Sequence, residues 1–231
     1  GRECLNNVLS FHIDGSQALE DITVGLKSCT RAKNGTELRK TNDNDIVGIC
    51  AITNCPKLKT IKFDNYAFAD YCSFILENLP SLQCLQVGAK CFWSHTPFGL
   101  KKLPELQTVK LGDGSFKYCD FIIIENLPNL REIRLGNCAL MGSNLNCNLN
   151  ASNQFEVHYF NSLIMRNLPS LNLFQGDGLN FHDIGSVTLE NIPNLSSQGI
   201  QFRINTFYTG PVKATNAAAL ESYFTTAHSD N

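Results

Sequence analysis

Residues 79–88 read LPSLQCLQVG, residues 103–112 read LPELQTVKLG, and residues 127–136 read LPNLREIRLG. The Leu-Pro pair or a close variant recurs in six segments, with prolines 24, 24, 24, 41 and 24 residues apart. A fixed period of this length is the signature of a repeat protein. We therefore predict one structural unit of 24 residues written about six times, with a 17-residue insertion within residues 141–157.

Alignment on the proline places large apolar residues in fixed columns. Two residues after it stand Leu58, Leu82, Leu106, Leu130, Leu171 and Leu195. Twelve residues after it stand Phe68, Phe92, Phe116, Leu140 and Phe181. The segments before and after each proline both alternate apolar and polar residues, which is the period of a strand with one buried face. The Asn-Leu-Pro between them favours a corner, because Asn bonds its local backbone and Pro lacks an N–H for a continuing ladder.

Such a unit cannot bury its own apolar face, so copies must stack strand on strand. We predict a mainly β solenoid of two parallel sheets with terminal caps. Residues 1–45 do not fit the repeat and form the N-terminal cap, with short strands at 8–13 and 22–26. Residues 46–205 form the solenoid, with the insertion as a protruding loop. Residues 206–231 form a C-terminal cap with a helix at 214–224 and a polar tail.

The core of the unit resembles a known repeat family. Leu82, Leu85, Val87 and Phe92 follow the leucine-rich repeat pattern L-x-x-L-x-L-x-x-N/C-x-L, with Phe in the last place. The resemblance covers residues 46 to 202 and is closest to the treponemal, BspA-like repeats of microbial eukaryotes. Other residues hold the N/C position: Tyr66, Lys90, Gly114 and Cys138. We therefore expect the usual asparagine ladder to be missing. The resemblance implies a protein-binding surface on the concave sheet and transfers no catalytic residue.

Composition excludes several classes of function. A net charge of −2 gives no reason to expect nucleic acid as a partner, and no apolar run is long enough to span a membrane. The ten cysteines show no C-x-x-C spacing and the five histidines form no cluster, so we expect no metal. No phosphate loop or nucleophile elbow appears, so we expect no cofactor and no enzymatic activity.

The compartment remains open between two readings of the cysteines. No two cysteines share a column in adjacent repeats, so we predict no disulfide between repeats and favour a reducing, cytoplasmic setting. A secreted or cell-surface setting would make three sequons relevant, at Asn34, Asn150 and Asn194. The chain opens with Gly1 and has no signal peptide, so we expect a processed product, an expression product or a fragment of a longer protein.

Two surfaces are candidates for binding. A row of polar residues should project from the strands after the prolines: Lys62, Gln86, Lys110, Arg134 and Gln175, with Glu132 in the next column. Stacked cations would favour a partner carboxylate, although a solenoid face also needs soluble residues. On the strands before the prolines, Ile75, Ile123 and Ile164 should form an outward apolar stripe. The first surface predicts a protein-interaction module, and the second predicts a building block that self-associates through its outer sheet or its ends.

Overall fold

The computed structural model describes residues 1–6, 8–30, 48–142, 161–202 and 210–226, and the backbone of strands at 147–149 and 155–157. The described part of the chain is mainly β and contains one α-helix. The long ladders are parallel. The predictions of a mainly β fold and of parallel sheets are therefore confirmed.

The six strands after the repeat prolines join one strand of the N-terminal cap in an uninterrupted sheet of seven, which we call the long sheet. They are β2 (Asp21–Val24), β4 (Thr60–Phe63), β6 (Cys84–Val87), β8 (Thr108–Leu111), β10 (Glu132–Leu135), β14 (Leu173–Gly176) and β16 (Ile200–Phe202). Each strand pairs with its counterpart in the next repeat. Ile61, for example, lies opposite Leu85, which lies opposite Val109. Each 24-residue repeat of the sequence therefore adds one strand to this sheet.

The other side consists of the six strands before the repeat prolines and one strand from each terminal cap. We call these eight together the strands before the prolines. They form two sheets, where the sequence predicted one. They are β1 (Ser10–Asp14), β3 (Gly48–Thr53), β5 (Tyr71–Glu77), β7 (Phe98–Lys101), β9 (Phe121–Glu125), β13 (Ser162–Arg166), β15 (Ser186–Glu190) and β17 (Val212–Thr215). The first three form a three-stranded sheet and the last five a five-stranded sheet, with the break between β5 and β7. The prediction of two parallel sheets was wrong in this respect.

An asparagine ladder runs along the corners before the prolines, with Lys102 in place of asparagine in one repeat. Asn54, Asn78 and Asn126 all have a left-handed backbone, with φ of 53° to 57°, a conformation that Asn tolerates better than most residues. The Asn78 Nδ2 donates to the Asn54 Oδ1 at 2.7 Å, and the Asn167 Nδ2 donates to the Asn126 Oδ1 at 2.7 Å. The expectation of a missing ladder holds only for the position that the leucine-rich repeat pattern uses. The ladder lies at a different corner.

The core lies between the long sheet and the strands before the prolines. All six leucines of the column after the proline are buried, with at most 4% of their surface exposed. The column twelve residues after the proline is fully buried as well. Within it, Phe68 stacks on Phe92 at 5.5 Å between ring centroids, and Phe92 stacks on Phe116 at 4.8 Å. Both predicted columns are therefore confirmed, and each buried side chain stabilises the stack by about 1.5–3 kcal/mol.

The N-terminal cap and the insertion differ from their predicted forms. Strands β1 and β2 extend the ladders of β3 and β4 in parallel, so residues 10–24 continue the stack that they were expected only to cover. Residues 31–45 of that cap lie outside the described residues. Within the insertion, β11 (Cys147–Leu149) pairs antiparallel with β12 (Phe155–Val157), where a loop was expected.

The C-terminal helix begins later than predicted. Residues 212–215 form β17, and Asn216 follows with a φ of 52°, which a right-handed helix cannot contain. Helix α1 therefore spans Ala218–Thr226. It places Leu220 and Phe224 against the end of the core, each with 1% of its surface exposed. The helix packs against β16 and β17 at this end of the sheets.

Candidate functional site

The six residues predicted to bind a partner lie together on the outward face of the long sheet. Lys62 is opposite Gln86, Gln86 is opposite Lys110, and Lys110 is opposite Arg134. Gln175 continues this row, and Glu132 lies two residues before Arg134 on the same face. Neighbouring strands are about 4.8 Å apart. The side chains therefore form one continuous polar row, which the binding hypothesis requires.

Charges within this row are compensated by neighbouring carboxylates. The Lys110 Nζ lies 3.9 Å from the Glu132 Oε1, and the Arg134 Nε donates to the same oxygen. The Arg134 Nη1 also donates to the Gln175 Oε1 at 2.7 Å. Lys62 lies 3.9 Å from the Asp64 carboxylate. Exposed ion pairs of this kind contribute about 0–1 kcal/mol each, so a partner can replace them at little cost.

A groove runs along the edge of the row where the strands end. Its volume is about 460 Å³. The row supplies one wall through Gln86, Lys110 and Arg134, and the following turns supply the other through Asp113 and Asp177. The two aspartates were missed from the sequence. Their only signal is that each closely follows a strand of the long sheet: Asp113 lies two residues after β8, and Asp177 comes directly after β14.

Glycine keeps the turns beside this groove close together. A Cβ at Gly88 would lie 2.5 Å from the Asn65 backbone nitrogen, and one at Gly112 would lie 2.5 Å from the Ala89 nitrogen. Real Cβ atoms do not approach backbone this closely, so these positions need glycine for packing between repeats. The Asn65 Oδ1 accepts from the Ala89 N–H at 2.8 Å and fixes the turn. Close packing and this hydrogen bond therefore hold the turns on one side of the groove in place.

The titratable groups of this face include one thiol, that of Cys84. Burial raises the pKa of the Cys84 thiol above its ordinary value; Lys110 lowers that pKa and Glu132 raises it. The thiol is therefore protonated at neutral pH, which makes it a poor nucleophile. In the described part of the chain, no three His, Cys, Asp or Glu side chains lie where they could hold a metal ion together. The groups that this face does offer are ammonium, guanidinium, amide and carboxylate.

The apolar stripe predicted on the other side is present and larger than expected. Ile123 and Ile164 are direct neighbours and half-buried, and Ile75 is 41% exposed. Phe121 and Ile49, which were missed, lie on the same outward face with 48% and 37% exposed. Phe121 could have been found from its position two residues before Ile123, because alternate residues of a strand share a face. The stripe is interrupted by Gly99 of β7.

Comparison with protein-family models, curated proteins and solved structures gave no match. Among the described residues, no helix has both the length and the apolar character needed to cross a membrane.

Proposed function

We propose that this chain is a leucine-rich-repeat-like solenoid that binds another protein through the outward face of the long sheet and has no enzymatic activity. The parallel pairing of equivalent strands supports the solenoid. The leucine pattern after each proline supports the family, for which this sheet would be the concave one. Repeat proteins of this kind commonly present an extended sheet to their partners.

The continuous polar row beside the groove carries this proposal. It spans five neighbouring strands, from Lys62 to Gln175, on a sheet whose other face is buried. Its ion pairs are solvent-exposed, with about half of the Lys62, Lys110 and Arg134 side chains accessible. Both signs of charge are present, so a partner of mixed charge can exchange these internal pairs for pairs across the interface.

Reversing two charges tests this assignment. Lys110→Glu combined with Arg134→Glu should abolish capture of the partner, because two glutamates then replace the central cations of the row and repel the partner's carboxylates. The fold should persist, since surface substitutions change stability by about ±0.5 kcal/mol. Quantitative affinity capture from the native cell extract, read by mass spectrometry, would compare this variant with the unchanged chain. Lys213→Glu, on the edge strand β17, is the matched control. A partner captured equally by all three proteins would contradict the proposal.

A second candidate function is self-association through the strands before the prolines. The observation favouring it is the exposed apolar set formed by Ile49, Ile75 and Phe121, together with the half-buried pair Ile123 and Ile164. Large apolar side chains grouped on one face mark association surfaces more often than singly exposed ones do. A structural building block would use this face, and its oligomers would grow with protein concentration.

Replacing two isoleucines of the apolar stripe with aspartate tests this alternative. Ile123→Asp with Ile164→Asp should leave a folded monomer and abolish any self-association, because burying either carboxylate in an apolar contact is costly. Light scattering over a hundredfold concentration range measures the mass, and circular dichroism checks the fold. Equal masses for variant and unchanged chain at every concentration would exclude this face as an interface. Unfolding of the variant would show that these side chains belong to the core.

A further inference from the structure

A separate surface lies on the turns that follow the long sheet, where aromatic rings and lysines alternate. The turn cluster consists of Tyr66, Lys90, Trp93, Lys117 and Tyr118, all half-buried. The Lys90 Nζ lies 5.4 Å from the centroid of the Tyr66 ring and 5.3 Å from that of Trp93. The Lys117 Nζ lies 4.9 Å from the Trp93 ring and 5.1 Å from the Tyr118 ring. Both ammonium groups are therefore held by ring faces.

The Trp93 indole packs against Gly114, which leaves room for it. Its φ is 63°, but Tyr66 and Lys90 hold the same position of their repeats with φ of 61° and 58°. The backbone conformation therefore does not require glycine. A Cβ at Gly114 would, however, lie 2.5 Å from the Cζ3 of Trp93. The indole lies directly over this glycine, so the ring and the lysines around it are positioned by packing.

The lysines of the turn cluster differ from those of the long sheet in their ion pairing. On the long sheet, Lys110 faces Glu132 at 3.9 Å. Among the described residues, no carboxylate lies within ion-pair distance of Lys90 or Lys117. The indole N–H and the two phenol hydroxyls can also donate. The surface therefore offers several donors and two cations, and its complement is a ligand rich in negatively charged acceptors.

We propose that the turn cluster binds an extended acidic peptide segment of a partner protein, with two carboxylates accepting from Lys90 and Lys117. Side chains at alternate positions of an extended segment lie about 6.6 Å apart on one face. That spacing suits two ammonium groups that both lie within about 5 Å of one indole. Single-stranded nucleic acid fits less well, because it needs open ring faces for its bases and a longer basic track. This site is independent of the long-sheet proposal.

Trp93 is the only tryptophan of the chain, so its fluorescence reports on this site alone. The full chain would be titrated with an end-blocked octapeptide of alternating Glu and Ser, and with the same peptide carrying Gln for Glu. We expect the Glu peptide to change the emission saturably and the Gln peptide to leave it unchanged. Salt at about 1 M, where the screening length is about 3 Å, should weaken the response strongly. An equal response to both peptides would overturn the proposal.

Variants separate the turn cluster from the long sheet. Lys90→Gln with Lys117→Gln should weaken binding of the Glu peptide about tenfold, as expected for two exposed ion pairs. Arginine at both positions should restore it. The matched control, Lys62→Gln with Lys110→Gln on the long sheet, should bind like the unchanged chain, and thermal unfolding would check all variants. Unchanged binding after Lys90→Gln with Lys117→Gln, or tighter binding of an oligo-dT of eight nucleotides than of the peptide, would overturn the assignment.

Discussion

The long sheet and the strands before the prolines are built from the same repeat, yet only the long sheet is continuous. Its seven strands pair without interruption, whereas the eight strands on the other side separate into three and five. Period and apolar pattern are equally regular in both. The difference shows that a regular repeat does not by itself close the ladder between every pair of strands, and two residues at the break differ from their counterparts.

Pro97 is the first of these residues. At the corresponding position of other repeats, the Ser162 N–H donates to the Asp120 carbonyl at 3.0 Å and the Ile49 N–H donates to the Leu9 carbonyl at 2.9 Å. Proline has no N–H, so the bond that would begin the ladder from β7 to β5 cannot form. One donor is therefore missing at the break. Pro211, at the same position before β17, lacks the same donor while β17 still pairs with β15, so this loss alone does not open a ladder.

Lys102 is the second. It stands where the other repeats carry the corner asparagine, with the same left-handed backbone at a φ of 54°. Its ammonium group can only donate, so it cannot accept from a neighbouring asparagine amide. The Asn54 N–H donates to the Glu77 carbonyl at 3.1 Å, whereas Asn78 and Lys101, both within the described part, are not joined in this way. The asparagine ladder and the backbone ladder are thus interrupted at the same repeat.

The largest expected effect on stability comes from truncating a buried leucine, once beneath the long sheet and once on the strands before the prolines, which leaves a cavity in the core. Leu106→Ala should destabilise the protein by about 2–5 kcal/mol, because Leu106 is fully buried beneath the long sheet. Leu100→Ala, equally buried on β7, should cost less within the same range, since the unpaired neighbour β5 can move toward the cavity. Urea denaturation followed by circular dichroism measures both free energies of unfolding.

Leu173 provides the matched control, because it lies on the outward face of the long sheet and is only half-buried. Leu173→Ala should cost less than about 1 kcal/mol. If Leu100→Ala cost more than Leu106→Ala, the broken side would be as tightly packed as the continuous one. The contrast drawn between the two sides would then fail.

An intermediate effect is expected from labelling of buried thiols. Cys50 faces the core from the three-stranded sheet, and Cys119 lies just before the five-stranded sheet; both are fully buried. Burial raises the pKa of both thiols, so at neutral pH they are protonated and react only when the structure opens. If the break lets the three-stranded sheet open separately, Cys50 should be alkylated at least about tenfold faster, a difference of about 1.4 kcal/mol in opening free energy.

Peptide mapping of an iodoacetamide time course measures both rates, with the exposed Cys4 as the reference for unhindered reaction. Equal rates for Cys50 and Cys119 would mean that the stack opens as one unit despite the break. The same reagent, applied to denatured and unreduced protein, should find most of the ten cysteines free. Recovery of few thiols would favour an extracellular setting and give the sequons weight.

Much of the fold was predictable, because the feature that determines it is local and repeated. Leu58 and its five equivalents had to share a column, since strands that recur every 24 residues pair with their counterparts. The break was not predictable in this way. Pro97 occupies an exposed position just before β7, outside the apolar columns, and any effect it has depends on a hydrogen bond to the preceding repeat. The insertion's antiparallel pair also lies outside the repeat.

The candidate site likewise combines features that the repeat period predicts with features that it does not. The row from Lys62 to Gln175 follows from the period alone, and the structure places those residues side by side. The bond from Arg134 to Glu132 and the seat of Trp93 over Gly114 do not follow from the period. They depend on side-chain rotamers and on contacts between repeats at unequal positions. Such contacts leave no periodic trace in the sequence.

The smallest expected effect comes from repairing the break. Pro97→Ser restores an N–H facing the Cys72 carbonyl, and Lys102→Asn restores an amide that can both donate and accept in the corner ladder. Each new hydrogen bond should contribute about 0.5–1.5 kcal/mol. Removing the proline frees the unfolded chain and costs about 0.4–1 kcal/mol. The double variant should therefore be more stable than the unchanged chain by about 1 kcal/mol, measured by urea denaturation.

Hydrogen exchange distinguishes this repair from a general surface effect. In the double variant, the amides of β7 should exchange more slowly, because β5 and β7 then form a closed ladder and the eight strands become one sheet. Lys57→Asn is the control: Lys57 is exposed and outside the corner ladder, so this change should alter stability by less than about 0.5 kcal/mol. Stabilisation without slower exchange in β7 would place the gain in the corner alone. Neither effect would mean that something other than the missing donor and the missing amide holds these two strands apart.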